Sequence, residues 1–230
     1  MNKGIQNIFS EVSNTYEMVN HVLTFGLDIL WRRKAARAAA KGGGERWIDM
    51  CTGTSEMAVY LNRLSGKDTM VFAADFSIEM IREAAMKGET REIRFTLADV
   101  SHLPFPSEAF DLVTISFATR NINVSKKILF ERFREFHRIL RRGGRFVNLE
   151  TSQPPSWLVR RAFHLYVRLT VKRLGSRISG SSAGYAYLAQ TIPRFYNAME
   201  LANLMRQAGF TKVNIYPMLF GVAAIHNAIK

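Results

Sequence analysis

The chain is predicted to be an α/β protein whose mostly parallel sheet is covered by helices on both faces. Three observations carry that expectation. Between residues 45 and 150, short apolar runs alternate with stretches whose apolar residues fall at helical spacing. Three of the runs end at an acid, Asp75, Asp99 or Glu150. Glycine-bearing turns punctuate the alternation, and such a pattern argues for crossover units with ligands at the carboxyl ends of the strands.

The elements are expected as follows. Residues 5–40 read as helical, with a break at Phe25-Gly26 and an Ala- and Arg-rich helix over 27–40. A glycine loop at 41–45 leads to a strand over 46–51. Ser55 then resembles an N-cap for a helix running to Leu64. Strands follow at 69–74, 93–98 and 110–116, with a helix at 77–87. A helix over 126–140, stopped by Gly143-Gly144, precedes a fifth strand at 145–149. Residues 157–174 form an amphipathic basic stretch and 177–184 a Gly/Ser-rich loop. A helix at 197–208 and an antiparallel pair at 212–218 and 222–229 close the chain. This gives seven strands in one domain: a helical cap (1–40), a core (45–150), an insertion facing substrate or membrane (151–196) and a closing helix and strand pair (197–230).

Composition narrows the class. With 230 residues, 47% hydrophobic and 22% charged, the chain can bury a full core. A single cysteine, Cys51, excludes a disulfide framework and a cysteine-rich zinc module. His21, His102, His137 and His164 show no ligand spacing, so no metal site is expected. Neither a secretory start nor a spanning apolar stretch is visible, and a cytoplasmic protein is expected. Thirty-two Lys and Arg against nineteen Asp and Glu leave a net charge of +13, which predicts an anionic partner. Counting histidines, nine basic residues lie in 126–145 and seven in 160–177, the latter without an acid.

The strand-turn-helix Asp49-Met50-Cys51-Thr52-Gly53-Thr54-Ser55-Glu56 carries the chemistry. A glycine in this turn lets backbone approach a ligand. Asp75 follows Gly53 by twenty-two residues, at the next strand end, where an acid accepts bonds from ribose hydroxyls. The G-x-G-x-x-G pattern of a pyrophosphate cradle is absent. Asp99, followed by Leu103-Pro104-Phe105-Pro106, is placed to receive an adenine amino group. Asp49, Asp75, Asp99 and the Leu140-Arg141-Arg142-Gly143-Gly144 turn, in this order, resemble the S-adenosylmethionine site of Rossmann-like class I methyltransferases. The cofactor contacts so implied are Asp49, Thr52, Gly53, Thr54, Asp75, Phe76, Asp99, Val100 and Phe117.

A closer resemblance rests on Phe9, Tyr16, Met18, Asn20, Thr24-Phe25-Gly26 and Trp31-Arg32-Arg33, with Phe117-Ala118-Thr119-Arg120-Asn121 further on. Leu149-Glu150 with Ser152 and Pro154, Gly184 to Leu188, and Gly221 to His226 add to it. Together they are similar to the motifs of the UbiE/MenG family of quinone C-methyltransferases. Departures are Cys51 and Ser55, where relatives carry small residues and glycine, and Glu17 and Glu56, which replace aspartates.

The resemblance implies methyl transfer from S-adenosylmethionine to a ring carbon of a polyprenylated quinol, with demethylmenaquinol as the leading substrate and the benzoquinol of ubiquinone synthesis or another isoprenoid redox carrier open. Arg120 and Asn121 are expected to position the quinol oxygens or a proton-accepting water, with Tyr16 closing the site from the cap. Tyr185, Tyr187 and His226 are expected at the quinol; for each, core packing is the competing reading. The basic stretch at 157–174 suits an anionic membrane surface, to which peripheral attachment is expected, or serves as an ordinary lid helix. An RNA methyltransferase would also explain the charge, but no RNA-binding module is visible and nucleic acid is not the expected partner. A non-catalytic cofactor-binding membrane subunit is the third reading. A homodimer is compatible with all three.

Overall fold

A computed structural model describes residues 16–171, 173 and 182–230, and the side chains of Tyr16, Tyr185 and Tyr187 lie outside the described set. Helices α1 (Tyr16–Leu23) and α2 (Leu27–Ala40) come first. The alternating core follows: β1 (Arg46–Met50), α3 (Glu56–Leu64), β2 (Met70–Asp75), α4 (Ile78–Ala85), β3 (Arg94–Leu97), β4 (Phe110–Ser116), α5 (Lys126–Ile139) and β5 (Leu140–Thr151). The insertion contributes α6 (Trp157–Tyr166), a π-helical turn over Val167–Val171 and α7 (Ser182–Thr191). Helix α8 (Ala198–Gln207) and strands β6 (Lys212–Met218) and β7 (Ala223–Ile229) complete the chain.

The seven strands run in the order β3-β2-β1-β4-β5-β7-β6. The first five are parallel, and β7 is antiparallel to both β5 and β6. The order reverses between β1 and β4, so the chain leaves these two neighbours in opposite directions and opens a crevice at their carboxyl ends. Strand β1 is buried on both faces, as its near-continuous apolar reading requires.

Each face has its own core. On one, Phe133 and Phe136 of α5 pack with Phe146 of β5 and Phe210, the rings of Phe146 and Phe210 stacked 5.3 Å apart. On the other, α2 and α3 lie against the sheet, and Ala35, Ala36 and Ala39 let α2 approach Trp47, Leu112 and Val147 closely. Helix α2 is therefore a layer of the core and not part of a cap as expected; its alanines need only a small footprint to bury a full stripe.

Three local expectations are corrected. Helix α5 ends at Ile139, because Leu140 is already extended (φ −74°, ψ 140°) and pairs with Phe110. The Arg141-to-Gly144 turn is a bulge within β5, pairing resuming at Leu112 with Arg145, so the glycines do not stop the helix. Ser55 does not cap α3: its backbone is left-handed (φ 68°) and its side chain accepts no bond from the first turn. Finally, α7 begins at Ser182, inside the expected loop, whose residues 177–181 fall outside the described residues. Asn197, by contrast, forms a full capping box with Glu200, a device worth about 1 kcal/mol.

Candidate active site

The turn after β1 is held from below. Asp49 is buried and accepts the hydroxyls of Thr52 (2.7 Å) and Thr114 (2.6 Å). Burial pushes its carboxyl up to about 6 against those bonds and against Arg32, with Asp75 adding to the rise. The Thr52 amide bonds to Ala74 O at 3.0 Å, stitching the turn to β2. Cys51, Gly53 and Ser55 all have left-handed backbones. At Gly53 (φ 54°) an added Cβ would meet nothing within 4 Å, so the space above it is open to a ligand.

Asp75 ends β2 and is 5% exposed. One carboxylate oxygen accepts the Gly53 amide (2.8 Å) and the other the Ser77 amide (2.9 Å). The carboxylate keeps acceptor capacity beyond its backbone bonds. Burial raises its pKa while the amides of Ser77, Gly53 and Phe76 oppose the rise. Cys51 is pushed well up by burial and then by Asp75, Asp49 and Asp99, so it stays a thiol and serves as a small turn residue.

A pocket opens above this turn, and Thr52, Gly53, Thr54, Asp75 and Phe76 wall it. Asp49 lies beneath it, outside the wall. Asp99 is half-buried and also outside; burial raises its pKa, but the Ser101 hydroxyl and amide (2.5 and 2.8 Å) outweigh that and hold it low. Val100 is in the core.

A second, apolar cavity of about 450 Å³ adjoins the pocket. Arg32 lines both spaces and stacks over the Phe117 ring at 5.1 Å. The chain just past β4 divides the rest: Ser116 and Ala118 face the pocket, whereas Phe117, whose backbone is left-handed (φ 54°), faces the cavity. Phe117 therefore lines the cavity and not the pocket over the turn, where it was expected. The next pair divides in the same way, Arg120 lining the cavity and Asn121 the pocket.

Arg120 is 7% exposed. Its amide bonds to Glu150 (3.0 Å) and its guanidinium to the Thr191 hydroxyl (2.8 Å), leaving Nε buried without a partner. Asn121 Oδ1 is likewise buried and unpartnered. Asp28 also reaches the cavity wall. Burial opposes its charge, but bonds from Thr24 and Arg32 (2.6 and 2.5 Å) and the nearby His21 hold its pKa down. His21 joins Asp28 (2.9 Å) to Glu56 (3.5 Å), and Arg32 also pairs with Glu56 (3.2 Å). These three acid/base groups cluster tightly, and the Arg32 guanidinium already pairs with both carboxylates. Lys87 bridges Glu17 of α1 and the Thr54 carbonyl, pinning α1 over the turn.

His226, expected at the quinol, lines neither space. Its Nε2 donates to Ala198 O (2.8 Å) and its Nδ1 accepts from Asn148 (3.3 Å), whose oxygen takes the Thr119 hydroxyl. Burial pushes its pKa down to about 4, so it is a neutral core residue. The expected roles of the Tyr16, Tyr185 and Tyr187 side chains fall outside the described residues. Sequence reasoning did not place Arg32, Glu56 and Asp28 at the site; Asp28 and Arg32 stand four residues apart on α2, but only packing brings Glu56 to them, and the Trp31-Arg32-Arg33 motif and the Glu56 departure were the visible signals.

Comparison with known proteins agrees with this geometry. The family model for the ubiE/COQ5 methyltransferase family matches residues 1–230. The chain belongs to that family. It is 39% identical over 222 residues to a demethylmenaquinone methyltransferase of Thermus thermophilus, covering 95% of this chain and 98% of the relative. It is 32% identical over 227 residues to a ubiquinone/menaquinone biosynthesis C-methyltransferase UbiE of Desulfotalea psychrophila, covering 99% and 90%. Among solved structures, a SAM-dependent methyltransferase of Thermotoga maritima superposes with a TM-score of 0.70 at 19% identity, over 98% of this chain and 99% of that one. That last likeness speaks for the fold, which is that of the Rossmann-like methyltransferases.

The residues fit S-adenosylmethionine, the cofactor of this family. Open space over Gly53, spare acceptor sites on Asp75 and the orphaned Asn121 oxygen suit a nucleoside with hydroxyl and amino donors.

Proposed function

We propose that this enzyme methylates a ring carbon of a polyprenylated quinol, most directly demethylmenaquinol, at an anionic membrane face. The observation that carries this reading is the shared wall: a nucleoside pocket and an apolar chamber meet at Arg32, with Arg120 presented to the chamber. The chamber suits an aromatic ring and isoprenoid tail, and a polar nucleotide acceptor would find few partners there.

Asp75 would hold the ribose hydroxyls, Gly53 and Thr54 the backbone side of the cofactor, and Glu56 its amino end. The bound cofactor supplies an electrophilic methyl on a positively charged sulfur. The Arg120 guanidinium is suited to stabilise a phenolate oxygen, which makes the adjoining ring carbon nucleophilic. Phe117 and Trp31, with ring centroids 6.2 Å apart, help exclude water and fix the ring's approach. Peripheral attachment is supported by α6, where exposed Trp157 and Leu158 lie beside Arg160 and Arg161. No helix among the described residues is long and apolar enough to cross a membrane.

Incubation with methyl-labelled S-adenosylmethionine and demethylmenaquinone, reduced or oxidised, tests the reading. Label is expected in the reduced quinol only. Cofactor binding with no transfer to either form would leave the non-catalytic subunit as the better account.

A further inference from the structure

Phe25, in the joint between α1 and α2, is 80% exposed, and Phe220, in the turn between β6 and β7, is 78% exposed. Both have left-handed backbones, φ 53° and 55°. That region is costly for any residue with a Cβ, and glycine or asparagine occupies it more cheaply. Neither exposed ring recovers that cost in the folded core. Although distant in sequence, both rings line the same apolar cavity.

Helix α6 ties the two sites together. The Phe25 ring lies 6.1 Å from Tyr166, whose hydroxyl donates to Leu23 O at 2.6 Å. At the other site, Gly221 sits so close to the start of α6 that an added Cβ would be 2.8 Å from Pro155 Cδ. The outer side of α6 and its π-turn exposes Trp157, Leu158, Leu165 and Leu169 together with Arg160, Arg161 and Arg168. Residues 151–230 contain ten Lys and Arg and a single acid, Glu200. Exposed apolar groups in a cationic field complement an anionic bilayer.

We propose that Phe25 and Phe220 are paired lips that insert into an anionic bilayer and join the cavity mouth to its acyl layer, so that a polyprenyl chain enters from lipid without crossing water. The proposal rests on the quinol reading above for what enters, but the lipid contact itself is measured without any quinol.

The test is co-sedimentation of the full chain with vesicles of phosphatidylcholine and phosphatidylglycerol. Phe25→Asn/Phe220→Asn keeps a residue that tolerates the left-handed backbone, and calorimetric S-adenosylmethionine binding reports that the fold is intact. The double variant is expected to partition at least about tenfold more weakly. Phe25→Leu/Phe220→Leu restores apolar surface and should recover most of the binding. The proposal is overturned if the Asn variant partitions like wild type, or if the Leu variant falls as far as the Asn variant. It is equally overturned if ultracentrifugation shows a wild-type dimer that the Asn variant dissolves, since these rings then meet a second copy. A failed quinol reading shows itself differently, as absent methyl transfer with vesicle binding intact.

Discussion

Arg120→Met removes the guanidinium from the acceptor chamber and leaves a stem of similar length. In the native protein that guanidinium has one side-chain bond, to Thr191, and a buried Nε with capacity to spare. A charge-assisted bond to a phenolate contributes about 1.5–3 kcal/mol, so kcat should fall roughly 10- to 150-fold. If the bond forms mainly as charge develops on oxygen, kcat/KM falls by the same factor. Cofactor affinity should hold, because Arg120 lines the cavity and not the nucleoside pocket. Without the guanidinium the phenol ionises less readily, so the variant should recover more of its rate than wild type as pH is raised. Steady-state kinetics across pH, with calorimetric cofactor binding alongside, supply every number needed. A variant that turns over within about twofold of wild type would refute the role.

Three further outcomes follow from the same geometry. Asp75→Asn places an amide group against the Gly53 or Ser77 N–H, orphaning a donor and weakening ribose contacts; calorimetry should show a loss of cofactor affinity of about tenfold or more. Ser55→Gly relieves a left-handed residue, and differential scanning should show a gain of about 1 kcal/mol, or a melting point about 2–4 °C higher. His226 is depressed from 6.5 to about 4, so the folded state favours its neutral form. The stability this gives is intact above pH 6.5 and eroded as pH falls through 4, by about 3 kcal/mol in all. His226→Gln, which stays neutral, should flatten that part of the acid slope in urea titrations.

The sheet was legible because strand ends carried their own marks. Asp75 and Glu150 stand where an apolar run stops, and the Phe110–Ser116 strand coincides with its expected span. Helix α2 was legible as a helix but not as a layer, since an Ala- and Arg-rich stretch gives little amphipathic contrast. The glycines at 143–144 read as a stop because local turn chemistry cannot reveal that β5 begins before its own bulge. Within the candidate site, spacing placed the turn residues and Asp75 at one strand edge, where the structure also brings them together. Arg120 and Asn121 were expected together at the quinol, and the structure divides them between cavity and pocket, because their directions depend on the backbone past the end of β4. Asp28 and Arg32 pair within α2, but Glu56 meets them from α3, and only folding reveals that.

The most direct measurement of the central claim is a crystal structure with S-adenosylhomocysteine and a reduced quinone analogue bound together. The account predicts ribose hydroxyls on Asp75, a quinol oxygen on Arg120, and the acceptor carbon facing the sulfur in line across the Arg32 and Phe117 wall, with no water between. A ring bound elsewhere on the protein, or a nucleoside that leaves Asp75 untouched, would contradict it.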